Sequence, residues 1–131
     1  MSMRTPISKV RGQGAAGAGT HHFWVHRVTA VALVPLTIWF LCSLLSHMGG
    51  SRADVLAWIG QPLVAVMFIL LLGTGIYHLK LGIQVVVEDY VHGENMKLFS
   101  QLLLTLVTAA IGVASVFAVL KIALSSAAMG G

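Results

Sequence analysis

Three long stretches without formal charge divide this chain. Residues 28–51, 55–79 and 98–120 contain no Asp, Glu, Lys or Arg. The hydrocarbon core of a bilayer is about 30 Å thick, and an α-helix of about 20 apolar residues crosses it. Each stretch is long enough for one crossing. The pattern therefore predicts an all-α membrane protein with three transmembrane helices.

The outer two helices are simple to place. We expect the first helix at about residues 24–46 and the third at about residues 98–121. Pro35 lies inside the first helix and is expected to bend it, because proline removes one backbone hydrogen bond. Residues 98–120 contain no ionisable side chain, so we assign the third helix to packing and lipid contact.

The second helix has two possible registers. It spans either residues 55–77, or residues 62–88 after a short interfacial segment at 53–59 that Trp58 anchors. We favour 62–88, because residues 81–87 (LGIQVVV) are too apolar for a solvated loop. That helix also begins with a proline, which the first turn of a helix accommodates well.

Both ends of the chain differ from the middle. Residues 1–20 are basic and rich in Gly and Ala, so we expect a flexible tail, and residues 125–131 are expected to form a C-terminal tail. Residues 21–124 form the predicted three-helix membrane domain. Lys and Arg near the helix ends favour an N-terminus and a second loop in the cytoplasm, or in the equivalent mitochondrial matrix.

Composition narrows the class of protein. Of 131 residues, 57% are hydrophobic and 9% are charged, with a net charge of +4. So few charges cannot cover a soluble core, and so apolar a chain is not disordered. We find no glycine motif for nucleotides and expect no nucleic-acid partner. Three helices form a thin bundle, so we expect membrane lipids and a larger heteromeric helix bundle around them.

His78 carries the strongest candidate chemistry. It lies about 24 Å along the favoured second helix, inside the bilayer. Gly75 and Gly82 are three residues before it and four after it, so both lie on its face. Two glycines beside an imidazole leave a flat slot, which a haem ring requires. The alternative is a histidine that hydrogen-bonds a neighbouring helix beside small-residue packing.

His78 is also the only histidine deep in a predicted span. A membrane haem with two axial ligands would therefore take its second ligand from another polypeptide.

An acid and a phenol follow on the same helix. Asp89 is 11 residues after His78, on nearly the same face and about 16 Å nearer the cytoplasm, and Tyr90 is next to it. Together they can relay a proton and donate a hydrogen bond to a carbonyl, as a quinone head group requires. The alternative is an ordinary interfacial tyrosine beside a solvated acid.

The roles of several other polar residues stay open. Arg27 cannot lose its charge, so it needs a haem propionate, a quinone oxygen or a lipid phosphate as its partner. Lys80 is on the face opposite His78, where it can reach the cytoplasmic surface or pair with an acid of a partner chain. We expect His47 and His92 to be solvated loop residues.

Two segments resemble a known family. The segment from His78 to Gly93 (HLKLGIQVVVEDYVHG) resembles the H-x3-G-x6-D-Y signature of the small hydrophobic membrane-anchor subunit of succinate dehydrogenase. The segment from His22 to Ala30 (HFWVHRVTA) is similar to the start of that family's first helix. The resemblance covers about residues 20–121, and which of His21 and His22 takes the family position is left open.

The resemblance implies a role in a larger complex. Its partners would be a flavoprotein subunit, an iron–sulfur subunit and a larger cytochrome-b anchor that supplies the second haem ligand. Succinate oxidised in the flavoprotein would supply electrons to ubiquinone, which joins the citric acid cycle to respiratory electron transport. This chain would be a non-catalytic subunit in a bacterial inner membrane, with the mitochondrial inner membrane as the alternative.

The resemblance also implies roles for individual residues. His78 matches the axial ligand of haem b, Tyr90 the tyrosine that hydrogen-bonds the quinone, and Asp89 its acidic neighbour. Arg27 matches an arginine near the haem and quinone region. Two other functions stay open: the larger cytochrome-b anchor of the same complex, or a three-helix scaffold without a cofactor.

Overall fold

The computed structural model describes residues 5–7 and 16–130. Within residues 16–130 the chain forms four helices: α1 (Ala16–His47), α2 (Arg52–Gly60), α3 (Pro62–Tyr90) and α4 (Glu94–Gly130). The described part of the chain has no β-strand. By length and composition, α1, α3 and α4 can each cross a membrane. The predicted all-α fold with three long apolar helices is confirmed.

The chain breaks at Gln61, between α2 and α3. The backbone of Gln61 is extended (φ −65°, ψ 132°). Its N–H donates to the carbonyl of Trp58 at 3.2 Å, and its carbonyl accepts from the N–H of Ala65 at 2.8 Å. Pro62 then occupies the first turn of α3, where its missing N–H leaves no bond unmade. This is the second of the two registers considered from the sequence.

A capping box starts α2. The N–H of Asp54 donates to Oγ of Ser51 at 3.2 Å, and the N–H of Ser51 donates to Oδ2 of Asp54 at 2.8 Å. These bonds satisfy backbone donors that the first helical turn would otherwise leave free. Hydrogen bonds from the Ser51 side chain and backbone stabilise the ionised carboxylate, so the pKa of Asp54 lies below its ordinary value.

Two helix ends differ from the sequence-based boundaries. Helix α1 begins at Ala16, inside the predicted tail of residues 1–20; residues 1–4 and 8–15 of that tail lie outside the described residues. Helix α4 continues to Gly130, through most of the C-terminal tail predicted at 125–131. Residues 123–128 (ALSSAA) contain no proline or glycine, so nothing in them interrupts the helical hydrogen bonds.

Helix α3 is the centre of the bundle. It packs against α1, α2 and α4, while α2 also packs against α4. The core of the single chain is nevertheless thin. Its buried hydrophobic side chains are Trp58, Ala65, Leu81 and Val119. Most large apolar side chains on the three long helices are exposed, so lipid or other chains must cover them in the membrane.

An aromatic cluster holds the short helix against the bundle. Trp58 is only 6% exposed, and its ring stacks on His47 with centroids 4.4 Å apart. Phe68 meets the edge of Trp58 at 5.4 Å and also contacts Trp39 and Phe40. His47 is the last residue of α1 and is half-buried against Trp58, so the prediction that it is a solvated loop residue is wrong. The interfacial position of Trp58 stays a prediction.

Gly60 permits close contact between α2 and α4. A Cβ atom added to Gly60 would lie 2.6 Å from both Cβ and Oγ of Ser126. That distance is well inside van der Waals contact, so any side chain at residue 60 must push the two helices apart.

We expect Gly60→Ala to destabilise the bundle by about 1–3 kcal/mol, because it overpacks this contact. Thermal unfolding of the detergent-purified protein measures the change. Ser126→Gly removes the opposing Cβ and should restore most of the loss in the double variant. Gly112→Ala is the matched control, since a Cβ there meets nothing within 4 Å. Equal effects of Gly60→Ala and Gly112→Ala would contradict this account.

Candidate cofactor site on the third helix

His78 projects from α3 toward α1. Its Nδ1 lies 3.1 Å from Oγ1 of Thr29, and its ring lies 4.6 Å from the ring of His26 at an angle of 37°. The side chain is half-buried. The alternative considered from the sequence, a hydrogen bond to a neighbouring helix, is thus present. It engages Nδ1 alone, and Nε2 makes no hydrogen bond with any described residue.

Neither of the two glycines near His78 is crowded by a neighbouring side chain. A Cβ atom on Gly82 would meet nothing within 4 Å, and one on Gly75 would meet only Cδ2 of Leu33 at 3.8 Å. The backbone at these two positions is therefore free of tight neighbours within this chain. An imidazole nitrogen without a partner, between two uncrowded glycines, fits the demands of one axial position on a haem.

Thr29 and His26 are site residues that sequence reasoning did not identify. Oγ1 of Thr29 lies 2.9 Å from each of the carbonyl oxygens of Val25 and His26 in its own helix. Both residues fall in the first-helix segment that resembles the family. Nothing in their spacing indicates contact with His78, because that contact depends on how α1 rotates against α3.

Arg27 and His22 lie at the start of the predicted first span. Arg27 is exposed, and its guanidinium carbon lies 5.4 Å from the centroid of the Phe23 ring. It forms no ion pair with a described residue, so its charge is available to another molecule. Nε2 of His22 is buried without a hydrogen-bond partner among the described residues, whereas His21 is exposed. The structure does not bring Arg27 into contact with His78.

Asp89 and Tyr90 end the helix that carries His78. Both are exposed, Tyr90 to 78%, and neither bonds to a described side chain. The N–H of Val91 donates to the carbonyl of Val87 at 3.0 Å and closes the last turn. Separations of 11 and 12 residues place the acid and the phenol about 16 and about 18 Å along the axis from His78. They form a second candidate site, not part of the first.

Lys80 lies on the other side of α3. It lines a cavity of about 280 Å³ between α3 and α4, together with Tyr77, Thr105 and Thr108. Thr108 is one of the few buried polar residues of the described chain. Lys80 therefore does not share the slot beside His78.

Fold and site together define a class of protein. The chain is a small multi-pass membrane protein with a thin core and long exposed apolar faces, and its His78 contacts a neighbouring helix while Nε2 has no hydrogen-bond partner among the described residues. Lipid or other chains must cover the exposed apolar faces.

Comparison with known proteins agrees with this class. Residues 1–125 match the family model of the succinate dehydrogenase/fumarate reductase transmembrane subunit. The chain is 34% identical over 93 residues to a protein of Paracoccus denitrificans, covering 71% of this chain and 72% of the relative. It is 32% identical over 95 residues to one of Rickettsia bellii, covering 72% and 75%. Both relatives are named succinate dehydrogenase hydrophobic membrane anchor subunit.

The chain belongs to this family, as a hydrophobic membrane anchor subunit of succinate dehydrogenase. The resemblance found in the sequence is thereby confirmed, and it favours the anchor over the larger cytochrome-b subunit. Bacterial relatives and three apolar helices make it a multi-pass inner-membrane protein.

Proposed function

We propose that this anchor subunit holds one side of a haem b through His78 and forms part of a ubiquinone-reduction site with Tyr90. One observation carries the haem part. The imidazole of His78 is oriented by a hydrogen bond at Nδ1, while Nε2 has no hydrogen-bond partner among the described residues and open space lies beside Gly82.

In this proposal each residue of the slot has one task. His78 would hold the iron through Nε2, and Gly75 and Gly82 would let a flat ring approach the helix backbone. A bound haem would supply a one-electron redox centre inside the membrane. The larger cytochrome-b anchor would supply the second ligand.

The proposed quinone site is at the C-terminal end of α3. The hydroxyl of Tyr90 donates a hydrogen bond to a quinone carbonyl, and the carboxylate of Asp89 relays a proton from water to that oxygen. Arg27, which has no ion partner in the described chain, binds an anionic group such as a haem propionate or the quinone oxygen. The 78% exposure of Tyr90 suits a pocket that other subunits complete.

The same end of the molecule is the docking face in this proposal. The basic N-terminal segment and the loop after α3 favour its location on the cytoplasmic side. The iron–sulfur subunit and, beyond it, the flavoprotein subunit would bind there. Electrons from succinate then arrive next to Tyr90 and Asp89.

We expect His78→Ala to abolish or strongly reduce haem binding, because the iron loses an axial ligand. A reduced-minus-oxidised spectrum of the purified complex, with haem measured per flavin, tests this. His92→Ala is the control, since His92 is exposed in the loop after α3 and its loss should leave the haem signal intact. An unchanged haem spectrum in His78→Ala would show that the ligand assignment is wrong.

We expect Tyr90→Phe to lower succinate–ubiquinone reductase activity about fivefold or more, the effect of losing about 1 kcal/mol of hydrogen bonding to the quinone. Reduction of an artificial dye by the soluble subunits should stay near wild type. Tyr77→Phe is the matched control, because Tyr77 lines the cavity at Lys80 instead. Equal losses in the quinone and dye assays of Tyr90→Phe would argue against a quinone role.

A further inference from the structure

We propose that Thr29 is a positioning residue that selects the tautomer of His78 and so leaves Nε2 unprotonated for iron. This inference rests on the proposed function of His78. The positioning residue Thr29 is on α1, whereas the proposed iron ligand His78 is on α3.

The surroundings of the Thr29 hydroxyl carry the argument. Oγ1 has three polar neighbours: the carbonyl oxygens of Val25 and His26, each at 2.9 Å, and Nδ1 of His78 at 3.1 Å. A hydroxyl has one proton to donate and two lone pairs to accept with. Carbonyl oxygens can only accept, and both are nearer than the imidazole. The proton of Thr29 is therefore directed to its own helix.

The same count of donors and acceptors determines which ring nitrogen of His78 carries the proton. Because the hydroxyl proton of Thr29 is donated to the helix backbone, Oγ1 can only accept a hydrogen bond from His78. Nδ1 must then carry the proton and donate it to Thr29. A neutral imidazole has one protonated nitrogen, so Nε2 retains its lone pair. Histidines that bind metals usually donate their other ring N–H in this way.

Thr108 supports the conclusion that the Thr29 hydroxyl donates to its own helix backbone. Its Oγ1 lies 2.7 Å from the carbonyl of Leu104 and 3.1 Å from that of Thr105. This is the same pattern as in Thr29, although no hydrogen bond joins Thr108 to a histidine among the described residues. The hydroxyl of a partly buried helical threonine thus donates to its own backbone in this protein, and the pattern at Thr29 is not created by His78.

Two other residues of α1 approach α3 near this hydrogen bond. The His26 ring lies 4.6 Å from that of His78, and Leu33 approaches the backbone of Gly75. His26 and Leu33 are two turns apart on α1. The ring of His26 borders the imidazole of His78, and with Nδ1 bonded to Thr29 the nitrogen left for iron is Nε2.

The test compares three variants in the purified complex. Thr29→Val keeps the shape of the side chain but removes the hydroxyl, and Thr29→Ser keeps the hydroxyl. We expect Thr29→Val to weaken haem retention in detergent roughly 10–100-fold. It should also raise the haem midpoint potential, because an imidazole without its hydrogen-bond acceptor donates less charge to ferric iron. Thr29→Ser should restore both values, and Thr108→Val should match wild type.

Electron paramagnetic resonance of the oxidised haem gives a readout independent of turnover. Its low-spin signal should change in Thr29→Val and not in Thr29→Ser. If Thr29→Val keeps the wild-type signal, potential and haem retention, the role of Thr29 is refuted. If Thr29→Val does not assemble, Thr29→Ala removes the hydroxyl in a smaller side chain and is judged by the same criteria. Haem retained by His78→Ala would instead refute the proposed function itself.

Discussion

The rotation of α3 about its own axis is the constraint on which the rest of the molecule depends. One face of this helix presents His78 and Gly75 to α1, and the opposite face presents Lys80 to α4. Leu81, at 4% exposure, is held in the core between these contacts. A rotation of α3 by about 200°, the angle between residues two positions apart, would put the ammonium group of Lys80 where the imidazole of His78 now lies. The charge of Lys80 is kept from the candidate haem site by this geometry alone.

The small number of buried side chains has a functional consequence in a membrane subunit. Within the described chain, only five side chains are buried, and large apolar faces of α1, α3 and α4 remain exposed. Apolar faces do not drive helices together in lipid as they do in water, so small residues and specific contacts must hold the bundle. The contact of Gly60 with Ser126 and the stack of His47 on Trp58 provide such contacts at one end. At the other end, Asp89 and Tyr90 are exposed.

The hydrogen bond between Thr29 of α1 and His78 of α3 has two functions. It holds the helices in register, and it fixes the direction of the imidazole. A polar contact inside a membrane is costly to leave unsatisfied, so the same bond that stabilises the bundle also resists rotation of the candidate ligand. Asp89 and Tyr90 share α3 with this ligand, and the helix therefore sets their separations from it at about 16 and about 18 Å.

Much of this architecture follows from the order of residues alone. The spacing of charges predicts three spans, the apolar segment 81–87 predicts the register of α3, and helical periodicity places Gly75, His78 and Gly82 on one face and Lys80 on another. These properties are local, because a helix repeats by rules that hold along one chain. Thr29 as the partner of His78, and His47 as the partner of Trp58, depend on how separate helices lie against each other. In an apolar bundle many rotations bury equal hydrophobic surface, so only the packed structure selects among them.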